Sequence, residues 1–112
     1  LCAYLCATAH VAYAHKPRGS RWAVSESSLR DMQDLVPENL RACAEFLETQ
    51  LSPSPWAMGP LFSYVDPYLF QFFRWLAAAD VQIEGYPKLA AHRNAMSARP
   101  ATRKALALHG LA

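Results

Sequence analysis

The chain is expected to fold as one all-α domain, a bundle of four to five helices. Its 112 residues lie near the commonest domain size. Its long stretches repeat apolar residues at three- and four-residue spacing, the period of a half-buried helix. Pro, Gly and Ser gather between those stretches, and no alternating strand pattern of useful length interrupts them. Hydrophobic residues make up 53% of the chain and charged ones 18%, so a full core or an apolar interface must absorb the surplus.

Residues 1–15 are rich in Ala and hold no Gly or Pro, which favours a helix. This helix starts on apolar residues without a capping Ser, Thr, Asp or Asn, as expected of a chain cut from something longer. Residues 16–28 read as a connector, broken by Pro17, Gly19 and several Ser, with Trp22 expected to pin it to the body. A helix over 29–51 follows from Leu29, Met32, Val36, Leu40, Cys43, Leu47 and Leu51, with Pro37 expected to kink or restart it. Residues 52–62 form a second connector.

Ser63-Tyr64-Val65-Asp66 then reads as a helix start. The Ser oxygen can accept a backbone N–H, and the Asp can reach back to the N–H of Ser63. The following helix, to about residue 79, carries apolar groups on nearly every face and is expected at the centre of the bundle. On capping alone, Asp66→Ala would cost on the order of 1 kcal/mol. Pro87 suits the first turn of a helix to about residue 98. Arg99-Pro100 opens a last short helix that stops at Gly110.

Several function classes are excluded. Eleven Lys and Arg against nine Asp and Glu give +2, and the basic residues are scattered, so no nucleic-acid footprint is present. The longest apolar stretch, residues 1–14, is too short to span a bilayer and contains His10. Cys2, Cys6 and Cys43 make an odd count without CxxC spacing, and are expected to be reduced, buried residues of a cytoplasmic protein. Cys2, Cys6 and His10 recur every four residues like a metal stripe. Zinc normally takes a fourth ligand from another element, and none is spaced for it, so no metal is expected.

The remaining polar candidates have two readings each. His10 either touches a ligand or is a hydrogen-bonded structural residue, and His15 is expected to end the helix. Lys16, Arg18 and Arg21 either hold an anion or form a solvated loop whose cations tie down helix ends. Tyr4 and Tyr13 offer hydroxyls to a ligand or pack in the core. No nucleophile elbow, phosphate loop or HExxH motif occurs.

Three stretches together resemble the helical C-terminal domain of soluble glutathione transferases. Residues 59–69, Gly-Pro-Leu-Phe-Ser-Tyr-Val-Asp-Pro-Tyr-Leu, are similar to the family's Gly-x-x-x-Ser-x-x-Asp segment. Pro87-Lys88-Leu89 through Arg99-Pro100 to Gly110 resembles the ending of the bacterial, beta-like branch. Residues 10–22, from His10 to Trp22, resemble a bacterial transferase-like subgroup.

The resemblance implies a preceding thioredoxin-like domain that supplies most of the glutathione site and the thiol-activating residue. The present chain would then be the electrophile side, inactive alone, in a protein that is usually a homodimer. Glutathione would be a co-substrate, with no further cofactor. His10 matches a histidine near glutathione in beta-like members, although Ala9 and Val11 replace their frequent Glu and Lys. Tyr13 and the tail around Leu108 become candidates for the electrophile pocket, while Ser63 and Asp66 match the folding motif. Two other readings stand beside this one: a non-catalytic relative serving as a binding or interaction module, and a stand-alone ligand-binding bundle.

Overall fold

The computed structural model describes residues 1–111. Three helical segments, Cys2–Tyr4 (α1), a π-helical Leu5–Ala9 and His10–Ala14 (α2), run on without a break. Then follow Glu26–Gln50 (α3), Val65–Ala78 (α4), Pro87–Ala98 (α5) and Pro100–Leu108 (α6). No strand is found among the described residues, and none of these helices is long and apolar enough to cross a membrane. The expected bundle is present.

Helix α3 begins three residues earlier than the apolar spacing indicates. Ser25 supplies the cap: its hydroxyl accepts the Ser28 N–H at 3.3 Å, and Glu26 places a negative charge in the first turn. Pro37 does not restart the helix. The missing N–H leaves one carbonyl unbonded. Val36, Leu40, Cys43, Ala44 and Leu47 remain buried on one side throughout, and their packing outweighs that local loss.

Helix α4 is central, as its composition requires. Leu69, Phe72, Phe73, Trp75 and Leu76 are buried, in one core with Leu5, Ala9, Leu40, Leu47 and Leu89. Glu48 of α3 accepts the backbone N–H groups of Lys88 at 2.8 Å and Leu89 at 2.9 Å, satisfying the exposed start of α5. At the end of α6, Gly110 adopts φ +63°, and Leu111 N–H returns to the Leu106 carbonyl at 2.9 Å. That left-handed closure is easiest for glycine.

Only one cysteine is where sequence reasoning put it. Cys43 is buried, Cys2 half-buried and Cys6 exposed. Residues 2 and 6 lie on a stripe of the first helix beside the one that buries Leu5 and Ala9.

Tyr64, not Ser63 as expected, occupies the N-cap position of α4, yet Ser63 and Asp66 still hold the helix start. Asp66 Oδ2 accepts the Ser63 N–H at 2.7 Å, and the Ser63 hydroxyl accepts the Val65 N–H at 3.3 Å. Asp66 Oδ1 accepts the Ala57 N–H at 2.8 Å and, also at 2.8 Å, a proton from His92 Nε2. Both Asp66 and His92 are fully buried. One carboxylate thereby joins the second connector, α4 and α5.

Burial alone would push the Asp66 carboxyl up. The Ala57 and Ser63 N–H groups, with the His92 ring, outweigh it and hold the group below the usual carboxylate range. Burial pushes His92 down despite the attraction of Asp66, so the ring is neutral at pH 7. The proton sits on Nε2, facing the carboxylate, and Nδ1 has no partner among the described residues.

Both groups bind protons more readily in the unfolded chain, so acid favours unfolding. Urea midpoints are expected to fall as pH drops below about 6.5, where unfolded histidine protonates, and more steeply below about 4. His92→Gln should flatten the upper limb only. A midpoint that stays level from neutrality down to the carboxylate range would contradict this assignment.

Candidate functional site

A cavity of about 400 Å³ opens between the first helix and α4. Its wall includes His10, Tyr13 and Ala14 from α2, Pro17 and Arg18 from the connector, and Tyr68, Gln71 and Trp75 from α4. Residues 68, 71 and 75 share one face of α4 by helical spacing, and 10 and 13 share one face of α2. The two faces meet at Trp75.

Trp75 is buried and forms the backing of the cavity. The His10 ring stacks on it with centroids 4.9 Å apart and planes at 13°, and Tyr13 does so at 5.7 Å and 11°. Tyr68 meets it edge-on at 6.4 Å. Such stacked and edge-to-face pairs each contribute on the order of 1 kcal/mol beyond burial, so the rings are held in place before any ligand arrives. His10, Tyr13 and Tyr68 are only half-buried and leave an aromatic rim.

His10 lines this cavity and stacks on its Trp75 backing. The ring is neither lost in the core nor hydrogen-bonded there; it faces a cavity. Tyr13 lies beside it on the same helix. Leu108 lies elsewhere. It is 76% exposed near the end of α6 and is not part of the wall of this cavity. Its neighbours Leu106 and Leu111 line a separate groove of about 290 Å³ between α4 and α6, which shares Gln71 with the aromatic cavity. Ser63 and Asp66 stand apart from the cavity and act in the fold.

Sequence reasoning missed Tyr68, Gln71 and Trp75 as site residues. Their spacing was visible, but on a helix apolar nearly all round it does not distinguish a cavity wall from core. Arg18 was visible only as one member of a basic run. The cavity wall holds no thiol, no carboxylate and no second histidine, and no cluster of three metal-ligating side chains occurs among the described residues. Its ring faces can stack on an aromatic group, and its His10, Tyr13, Arg18, Tyr68 and Gln71 side chains can donate hydrogen bonds.

The profile of the glutathione S-transferase C-terminal domain matches residues 31–95, more than half of the chain. This chain belongs to that family. A curated relative, glutathione S-transferase GstA of Escherichia coli, is 33% identical over 76 residues, which cover 68% of this chain and 38% of that protein. A crystal structure of a glutathione transferase homologue from Sulfitobacter, with bound glutathione, superposes at a TM-score of 0.87 with 43% identity. The match covers 97% of this transferase C-terminal domain and 58% of that chain. The domain thus spans well under two thirds of the length of either relative.

Proposed function

We propose that this domain is the electrophile-binding half of a glutathione transferase in the cytoplasm. A thioredoxin-like domain outside the present chain would bind most of the glutathione and generate its thiolate. The thiolate is the nucleophile, so the neighbouring domain sets the chemistry and this one sets what is attacked. The observation that carries the reading is the preformed aromatic cavity of His10, Tyr13, Tyr68 and Trp75. Its likeness to a homologue with bound glutathione supports the choice of nucleophile. A planar, electron-poor ring suits the cavity, because aromatic faces stack well on it and water is displaced from apolar walls. Holding the reacting carbon near the sulfur then converts an encounter into an intramolecular step.

The test is conjugation by the full-length protein. It is expected to join glutathione to a chlorodinitrobenzene with release of chloride, while the present chain alone is inactive. Tyr13→Ala should raise KM for the electrophile about threefold to tenfold, roughly one lost ring contact, with less effect on KM for glutathione. His10→Ala tests the other rim residue, and unchanged kinetics would remove His10 from the site. Absence of any thioether product from the full-length protein would overturn the transferase reading.

A further inference from the structure

The basic run of Lys16, Arg18 and Arg21 is divided by the fold. Lys16 donates to the carbonyl of Ala78 and so ties down the end of α4. Arg21 closes a short 3₁₀ turn over Gly19–Arg21 and is not part of the wall of the aromatic cavity. Arg18 lines the aromatic cavity, and no carboxylate of the described residues pairs with it.

The Arg18 backbone is firmly held. Its N–H donates to Ala14 at 2.8 Å, and its carbonyl accepts from Arg21 at 3.0 Å. Gln33 Nε2 donates to the Lys16 carbonyl at 3.3 Å, and Trp22 stacks on His15 at 4.3 Å. Gly19 is buried so close to α3 that a Cβ there would lie 3.1 Å from Leu29 Cδ2 and 3.2 Å from Met32 Cε. The connector has little freedom to move, and it places the exposed Arg18, which pairs with no carboxylate of the described residues, in the wall of an aromatic cavity.

The geometry points to Arg18 as the anion-recognition residue of this cavity, which makes an aromatic ring bearing a carboxylate or similar anionic group its preferred electrophile. This rests on the electrophile-binding reading above. The ring lies among His10, Tyr13 and Tyr68 while the carboxylate accepts two parallel N–H bonds from the guanidinium, a geometry lysine cannot reproduce. Gln71, on the same wall, offers an amide donor. In the reaction the glutathione sulfur forms a bond to the ring carbon that carries chlorine. The C–Cl bond breaks, chloride leaves with its electron pair, and the thiol proton goes to solvent.

The experiment compares two electrophiles in the full-length protein: a chlorodinitrobenzene, and the chloronitrobenzoate in which a carboxylate replaces one nitro group. Arg18→Ala is expected to lower the ratio of kcat/KM for the benzoate to that for the neutral ring about tenfold or more, with Arg18→Lys recovering part of the loss. An unchanged ratio overturns the proposal. So does a raised KM for glutathione with both electrophiles, which would mean that Arg18 holds a glutathione carboxylate instead. If neither electrophile is conjugated, the transferase reading falls. Calorimetric binding of the benzoate to wild type and Arg18→Ala then still decides the anion site, and equal binding overturns it.

Discussion

Asp66→Ala is expected to destabilise the full-length protein by about 3–5 kcal/mol, several times the cost of a lost helix cap. The difference comes from what the carboxylate holds. Removing it leaves the buried Ala57 N–H and the His92 Nε2–H without acceptors, as well as the Ser63 N–H at the start of α4. A buried donor left unpaired costs its full desolvation penalty, and with typical domain stabilities of about 5–15 kcal/mol the variant should be close to unfolding. Ser63→Ala loses only a hydroxyl cap and should cost about 1 kcal/mol. Asp66→Asn should fall nearer to the alanine variant, because its amide NH₂ would face N–H donors. Chemical denaturation of the three variants checks the order. Normal stability of Asp66→Ala with lost glutathione binding would show that Asp66 belongs to the site and not to the fold.

Trp75→Ala should also cost about 3–5 kcal/mol, since it empties a large buried volume at the centre of the core. Its second effect distinguishes it from other core truncations. Trp75 is the surface on which His10 and Tyr13 stack, so its loss should release both rings and widen the cavity. KM for an aromatic electrophile is expected to rise well beyond any change in KM for glutathione. Phe72→Ala, buried against Trp75 but absent from the cavity wall, should match the stability loss with a smaller effect on electrophile KM. Equal kinetic effects of the two truncations would mean that the Trp75 backing has no special role. Trp75→Phe should keep part of the stacking and most of the stability.

The helices were legible in the sequence because their causes are local. Apolar spacing, Ser caps, Pro at first turns and a terminal Gly each act within a few residues, and they located α4, α5 and α6 to within about one residue of the observed limits. Ser63 and Asp66 were recognised for the same reason. Local rules failed where distant packing decided the outcome. Pro37 sits inside a continuous helix because the buried face of α3 spans it, and Cys6 is exposed because the core takes the neighbouring Leu5–Ala9 stripe of its helix.

The sequence by itself determined an all-α domain, the limits of its last three helices, its family resemblance, and His10 and Tyr13 as the residues to watch. The tertiary structure alone decided that those two lean on Trp75, that Arg18 rather than Lys16 lines their cavity, and that Asp66 reaches His92 twenty-six residues away. Helical periodicity specifies which residues share a face. It carries no information about which faces meet, and that follows only when the whole core closes against the cost of chain entropy.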